Sequence, residues 1–526
     1  MDVNSLNSKK LRIGVIINDE MVSSWALLML EKIKNDPRND IVIAVKNKVQ
    51  IKNKLVYKLY EKLDTKFFKV ESNALDLADI KKLIDVEILD INHLDKIASY
   101  KIDIFINLCF NIPDSSIFNL SKYGVWSYHI GNLDLIGFGY FQFFRDVVSR
   151  RGLIEISLIQ LLETEIKVID YSSTTSDKIS VNRCRNSCLW KVSSIIPRAL
   201  DNFNETGEDL FFLNKSVLDK NPNDYLKNNS LPNNFTILLM LVKFKWKRFS
   251  NIIRNFIYFD QWVLLFTLEE NNPLSNYKII LPPKDRFWAD PHVIRKEGIY
   301  YIFIEELIYK ENKGFISVIE MDSKGNYTEP VIVLEKDYHL SFPFIIEDDG
   351  EIYMIPESKQ NNNIQLYKCI DFPFKWQLET VLVDNIRAVD TVITKKDNKY
   401  WMFTNMAEVK GSSYDDELYL FSSDKLISNN WIPHRENPIS SDVRNARMAG
   451  SIFFENNKRY RPSQNCSNHY GYGMNINEIN EITNEKYQEK IIKSIIPNWD
   501  KNITSTHSIS CVDDLTIIDA ELKRKK

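Results

Sequence analysis

The sequence predicts a multidomain protein, an α/β domain followed by an all-β propeller of five blades. Three observations predict it. A phrase in the second half returns roughly every 50 residues. Each copy of it has strand character, and strands alternate with helical patterns in the first half.

The phrase reads Asp290-Pro-His-Val-Ile, a turn at Glu297-Gly298, then Tyr300-Tyr-Ile-Phe. It returns as Phe342-Pro-Phe-Ile-Ile with a turn at Asp349-Gly350, and as Asp390-Thr-Val-Ile with a turn at Asp397-Asn398. A fourth copy is Gly450-Ser-Ile-Phe-Phe with a turn at Asn456-Asn457, and a weaker fifth starts at His507. An apolar run, a Gly/Asn/Asp turn and a second β-branched or aromatic run make a hairpin, because those turn residues tolerate the positive φ that a two-residue turn requires. Two more strand-like runs follow in each period, such as Phe315-Ile-Ser-Val-Ile and Val331-Ile-Val-Leu. Four strands per repeat describe a propeller; a solenoid would have shorter repeats with regular Leu or Asn ladders. Closing the ring needs outer strands for the last blade, and Trp262-Val-Leu-Leu-Phe with Lys278-Ile-Ile-Leu are placed to supply them.

In the first half, Leu11-Arg-Ile-Gly-Val-Ile-Ile reads as a buried parallel strand, and Ser23 to Ile33 has helical apolar spacing. Ile41–Val45, Asp103–Leu108 and Gly124–His129 are further strands, so this half is expected to be a doubly wound, Rossmann-like α/β domain. No Gly-x-Gly-x-x-Gly follows the first strand, which argues against a dinucleotide there. Ligands of such sheets bind beyond the carboxyl ends of strands, which places Asn107, Cys109 and His129 near any pocket. The expected division is 1–205 for the α/β domain, 206–256 for a linker, and 257–522 for the propeller.

Composition narrows the function classes. A net charge of −3 gives no electrostatic case for nucleic acid. The six cysteines are scattered without a Cys-x-x-Cys pair, which favours a reducing, cytoplasmic setting. The start of the chain is polar and basic, without the apolar stretch of a signal peptide. No run reaches the roughly 18 apolar residues of a membrane span. The segment Ile237–Ile257 crowds Lys243, Lys245, Lys247 and Arg248 against Phe244, Trp246 and Phe249. It is read as a helix packing one domain on the other with solvated lysines; the alternative is peripheral contact with an anionic membrane surface.

Residues 11–200 resemble the formyltransferase fold of methionyl-tRNA and sugar N-formyltransferases. The likeness rests on Asp103–Phe110, on Val125-Trp-Ser-Tyr-His-Ile-Gly131, on Leu135-Ile-Gly-Phe-Gly139 and on the helix near Asn186–Leu200. The resemblance implies a catalytic role for His129 and formyl-tetrahydrofolate as donor. Ser127 stands where the family carries asparagine, and the family's later aspartate is replaced by Thr164, with Glu163 and Glu165 beside it. Formyl transfer needs a base for the amine and a donor to polarise the formyl group. Serine is a shorter donor than asparagine, and threonine is no base.

In a propeller the residues that start each innermost strand crowd around one mouth of the channel. Here they include Asp290, Phe342-Pro343, Asp390, Arg447–Gly450 and His507, while the second strands end at Glu305-Glu306, Glu357, Asn405 and Gln464-Asn465. Carboxylates converging on a concave mouth suit sugar chemistry, one acting as nucleophile or base and another as acid. Asp290, Glu357 and Asp390 are the trio expected to be catalytic. For either aspartate alone, a turn residue bonding backbone amides is the favoured reading, and their equivalent register together with Glu357 brings the catalytic reading level with it.

The Asp-Pro opening followed by a Tyr-Tyr strand resembles five-bladed furanosidase-type glycoside hydrolases, which use an Asp, Asp and Glu trio. More specifically, Arg286-Phe-Trp-Ala-Asp-Pro-His292, Tyr338-His-Leu-Ser-Phe-Pro343, Tyr353-Met-Ile-Pro-Glu357, Arg444-Asn-Ala-Arg447 and Tyr460-Arg-Pro-Ser-Gln464 resemble the N-terminal part of plant glucosamine inositolphosphorylceramide transferases. That likeness implies a glycan context, and with the α/β half a role in bacterial surface-glycan biosynthesis.

The reading is a carbohydrate-active transferase. Trp288, His292, His339, Arg447, Gln464 and His507 are expected to bind sugar at the propeller mouth. Ser127 and Asn107 are expected beside His129, where the α/β domain binds a donor or acceptor, either a nucleotide sugar or formyl-tetrahydrofolate. No cluster shows metal-ligand spacing, so no metal is expected. The alternatives are a variant sugar N-formyltransferase and a non-catalytic glycan-binding scaffold. The sequence leaves the oligomeric state open.

Overall fold

The structure is a computed structural model that describes residues 10–47, 54–133, 139–213, 215–218 and 231–526. It divides into two compact units: residues up to Trp246 together with Val409–Ser412, and Lys247–Glu408 together with Ser413–Lys526.

The first unit is built on a mixed eight-stranded sheet. Five strands are parallel, in the spatial order Glu87–Asp90, Asn39–Lys46, Leu11–Ile17, Ile104–Asn107, Val125–Ile130. Their near-continuous apolar runs reflect burial on both faces. Along Leu11–Ile17, residues Ile13, Val15 and Ile17 enter one apolar layer and Ile16 the other. The helix Ser24–Asn35 lies in the first of these layers, through Trp25, Met29 and Leu30. The sheet as a whole is mixed and does not show the doubly wound arrangement expected. The rest of the sheet, Leu153–Leu161, Ile166–Thr175 and Ser216–Leu218, is antiparallel. The first two of these strands join through a turn at 162–165, where Leu162 N–H bonds the Glu165 carbonyl at 3.1 Å. The kinked helix Val181–Phe212 closes this unit's core, and it contains the helix expected near Asn186–Leu200. Within the expected linker, 214 and 219–230 lie outside the described residues, as do 134–138 of the glycine-bearing segment Leu135–Gly139.

The second unit contains the five-bladed propeller. Four blades are consecutive four-stranded sheets, the first being Arg286–Lys296, Ile299–Ile308, Lys313–Met321 and Val331–Leu334. The fifth joins both ends of the unit: Ile503–Ser505, Ile509–Val512 and Leu515–Lys525 come from the C-terminal side, and Tyr258–Thr267 and Lys278–Ile280 add outside them. Trp262 pairs with Glu521 and Leu264 with Ile280, so the expected closing strands do close the ring. The turns behave as their residues require: Gly298, Gly350, Asn398 and Asn457 all have positive φ, from 59° to 82°. Alternate residues of each strand pack to opposite sides. On Ile299–Ile308, Ile302 and Ile304 meet Leu264 and Ile517 of the fifth blade, while Phe303 meets Met354 and Tyr367 of the second.

One local feature recurs at the mouth of the channel. The innermost strands of the first three blades each carry a β-bulge, with register breaks at Ala289/His292, Ser341/Phe344 and Val389/Val392. The residue at each bulge has left-handed backbone: Asp290 at φ 52°, Phe342 at 43° and Asp390 at 48°. Such bulges re-aim side chains, and non-glycine residues in this region store strain. The fourth blade has Gly450 here, at φ 143°, where an added Cβ would lie 2.0 Å from the Ile509 carbonyl oxygen. Gly450→Ala is therefore expected to destabilise the propeller by on the order of 1–3 kcal/mol from backbone strain, with the clash adding to it. Thermal unfolding of the purified variant measures this, and an unchanged melting temperature would refute it.

Candidate functional site

The bulges direct side chains into a cavity of about 210 Å3 at the channel mouth. Its lining includes Asp290, Glu357 and Asp390, with Glu305, His339, Ser341, Arg447 and His507 between them and Trp262, Phe287 and Tyr470 as aromatic walls. A single register rule places the acids. The residue just before each bulge pairs across to the end of the second strand, so Ala289 faces Glu305, Ser341 faces Glu357 and Val389 faces Asn405.

Arg447 organises one side. Its Nε lies 2.7 Å from Asp390 Oδ2, its Nη1 2.6 Å from Asp415 Oδ1, and its Nη2 3.8 Å from Glu357 Oε2. The guanidinium sits over the Tyr470 ring, 4.8 Å from its centroid. Gln464 Nε2 donates to Asp390 Oδ2 at 3.1 Å. Burial, then the neighbouring Asp390 charge, push the Glu357 carboxyl well above its usual range, against the opposing pull of Arg447. A hydrogen bond between the Glu357 and Asp390 carboxyls acts in the same direction. Glu357 is thus held toward its uncharged form beside an arginine-bound carboxylate.

The other side centres on His507. Its Nδ1 lies 2.7 Å from Asp519 Oδ2 and its Nε2 3.4 Å from Asp290 Oδ1. Burial pulls the imidazole pKa down, but Asp519 and Asp290 outweigh it and raise it to about 9. Asp290 is held well above the usual carboxylate range by burial, with His507 opposing and Glu305 adding to the rise. Its Oδ2 accepts the Phe342 N–H at 3.3 Å, and its own N–H donates to Asp519 at 3.1 Å. Asp519 Oδ1 also takes the His507 and Ser508 N–H groups. The backbone-bonding role of a turn aspartate and a place in the cavity therefore coexist at Asp290. The folded-state pKa of His507 is raised, so its stabilising contribution is full below about pH 6.5 and lost as pH rises through about 9. The melting temperature is expected to fall across that window, and Asp519→Asn to flatten the fall; an identical pH profile in the variant would refute the pairing.

Beside these, His339 Nδ1 accepts the Gly314 N–H at 2.9 Å, which leaves Nε2 to donate toward Glu305 Oε1 at 3.2 Å. Asp290, His507 and Asp519 form one buried group of donor atoms close enough to share a metal ion, a cluster the sequence spacing does not display. Three residues expected at the substrate stand outside the cavity. Trp288 packs in the apolar core with Leu264 and Ile302, because it precedes the bulge and keeps the register of the strand's core face. His292 follows the bulge and is buried edge-on to Phe342, 4.7 Å between centroids, and burial lowers its pKa to about 3. Gln464 lies behind Asp390, holding it from below with a second bond to the Met448 carbonyl at 2.8 Å.

In the first unit Asn107, Ser127 and His129 are all buried at the carboxyl ends of neighbouring parallel strands. Asn107 Nδ2 donates to Ser127 Oγ at 3.0 Å and to the Asn111 carbonyl at 2.7 Å. His129 Nε2 lies 2.9 Å from the Asn132 carbonyl, and burial lowers its pKa to about 4. Thr164 and its flanking glutamates are not brought to it. Val125 pairs with Leu161 and His129 with Ser157, so the turn at 162–165 lies at the opposite end of the strand, roughly 13 Å away at ~3.3 Å per residue. His129 is thus bound to a carbonyl with its charged form disfavoured by burial, and the position where the family has its later aspartate lies at the far end of the strand.

Comparison with known proteins bears on the propeller. The family described as glucosamine inositolphosphorylceramide transferase 1, N-terminal, matches residues 281–510, which include every lining residue named above except Trp262. Glucosamine inositolphosphorylceramide transferase 1 of Arabidopsis thaliana is 32% identical over 206 residues, covering 39% of this chain and 27% of that protein. The protein of the same name from Oryza sativa subsp. japonica gives the same figures. The chain therefore spans about a quarter of the length of these relatives. Among solved structures, a family 117 glycoside hydrolase from Zobellia galactanivorans matches with 10% identity and a TM-score of 0.34, over 50% of this chain and 90% of that one. A family 43 glycoside hydrolase from Xanthomonas citri complexed with xylose matches with 12% identity and a TM-score of 0.33, over 44% and 87%.

Proposed function

We propose that the propeller cavity is the active site of a carbohydrate-active transferase working in bacterial surface-glycan assembly on the cytoplasmic side. One observation carries the reading: three carboxyl groups from three blades line one aromatic-walled cavity, with Glu357 beside an arginine-bound Asp390. Glu357 donates its proton to the leaving-group oxygen as the glycosidic bond breaks. Asp290, whose ionised form the His507 imidazole 3.4 Å away favours, takes the proton of the acceptor hydroxyl as the new bond to that oxygen forms. The Asp390 carboxylate, held in position by Arg447, stabilises positive charge developing on the sugar ring. Trp262, Phe287 and Tyr470 supply apolar faces for the ring. A lining with four carboxyl groups favours a neutral sugar over an anionic group of a nucleotide donor in this cavity. Kinship to the transferase-named relatives favours transfer over hydrolysis.

The formyltransferase-like reading of the first unit belongs to the same proposal at the level of fold: a parallel sheet with His129 at a strand's carboxyl end. No step is assigned there, because Ser127 and Thr164 stand where the family carries its asparagine and aspartate.

The test uses a panel of neutral glycosides as donors and sugar alcohols as acceptors. Asp290→Asn with Glu357→Gln is expected to abolish transfer while calorimetry still detects sugar binding. Binding with no turnover in the unaltered protein would establish a scaffold instead, and full activity in the double variant would remove the site.

A further inference from the structure

We propose that the helix Asn234–Ile257 is an in-plane anchor for an anionic lipid surface. The helix has 24 residues, roughly 36 Å at ~1.5 Å per residue. It presents two apolar faces. One packs on the first unit through Ile237 and Phe244, each nearly inaccessible, with Met240 and Leu241 beside them. The other runs through Phe235, Leu239, Val242, Ile253 and Phe256 at alternating steps of three and four, with Trp246 and Phe249 filling the same spacing. Those steps keep the side chains on one stripe of a helix. The stripe faces outward: Leu239 is 53% exposed, Val242 59% and Phe256 75%. Exposed apolar surface of this continuity marks an interaction site.

The charge on the helix selects the occupant. Residues 234–257 contain Lys243, Lys245, Lys247, Arg248 and Arg254 and no aspartate or glutamate. Lys243, Lys245 and Lys247 are exposed. The step pattern alone also suits a coiled-coil seam, and a second copy of this chain would then pack against it. That pairing would set Lys243, Lys245, Lys247 and Arg248 against their copies with no carboxylate on either helix to offset them, Arg254 being paired with Asp260 just beyond the helix. An anionic lipid surface satisfies both the stripe and the cations, which is the two-signal condition for stable in-plane binding. A neighbouring helix extends the same surface. On Leu55–Phe67 the side chains of Leu55, Leu59, Leu63 and Phe67 are exposed at steps of four, and Val56 N–H donates to Asn234 Oδ1 at 3.2 Å where the two helices begin. No described helix is long and apolar enough to cross a membrane, so the contact proposed lies on the surface.

Co-sedimentation of the full chain with phosphatidylcholine vesicles, with and without about a third of phosphatidylglycerol, tests this. Binding is expected only to the anionic vesicles, and to weaken as salt is raised. Lys243→Gln with Lys245→Gln and Lys247→Gln should lower the partition coefficient about a hundredfold, at about fivefold per charge. Leu239→Ser with Ile253→Ser should lower it too, with circular dichroism showing that both variants keep the fold. Binding to neither vesicle, or equally to both and indifferent to the lysines, would overturn the proposal. So would a dimer in light scattering that the Leu239→Ser/Ile253→Ser change dissolves in a protein that ignores vesicles.

Discussion

Glu357→Gln is expected to lower sugar transfer by on the order of 10²- to 10⁴-fold, the usual contribution of a positioned general acid. The amide keeps the size of the carboxylic acid and can still donate a hydrogen bond, but it cannot release a proton. Because burial and the Asp390 charge hold the Glu357 carboxyl toward its uncharged form, the substitution is expected to remove little charge that the fold depends on. The melting temperature should therefore stay close to that of the unaltered protein while turnover collapses. Steady-state kinetics with thermal unfolding measures both. A parallel loss of stability would mean that the glutamate is ionised, and that Arg447, 3.8 Å away, is its structural partner.

Arg447→Met should have the opposite profile, a large loss of stability. The guanidinium is buried and bonded to Asp390 and Asp415, and Asp390 itself is 2% exposed. Removing one partner of a buried pair leaves an uncompensated charge, which costs about 3–5 kcal/mol. Asp390→Asn in the same chain removes that charge and should recover part of the loss, a coupling that a double-mutant cycle reads directly. Additive losses would show that the two groups act independently, contrary to the 2.7 Å contact between them.

The propeller was legible because its signals are local. A two-residue turn that needs positive φ selects Gly, Asn or Asp, so Gly298, Gly350 and Asn398 mark the hairpins in any sequence context. Asp290 and Asp390 were found by equal register before the bulges, and Glu357 by the end of its strand. The same register contains Glu305, which pairs with Ala289 as Glu357 pairs with Ser341. Carried into the fifth blade, the rule leads to Glu521 opposite Ser505 and misses Asp519, which bonds the His507 and Ser508 amides. That copy is weak in sequence because its turn falls at Asp513-Asp514, without glycine or asparagine. Tyr470 and Asp415 sit in connections between strands, where no period applies, and reach the cavity only through the folded path of those loops. Trp262 comes from the strand that closes the ring, and its position over His507, 4.2 Å between centroids, depends on closure itself. In the first unit the apolar parallel strands were legible, but the antiparallel hairpin from Leu153 to Thr175 was not, since alternation does not report strand direction.

Leaving-group dependence in Glu357→Gln tests the central claim most directly. Two donors carrying the same sugar are compared, one with a nitrophenolate leaving group and one with an alkoxide. A nitrophenolate departs without a proton and an alkoxide does not. The account predicts that the variant loses transfer from the alkyl glycoside and retains most of it from the nitrophenyl glycoside. Equal loss on both donors would contradict the assignment of Glu357 as the acid of this site.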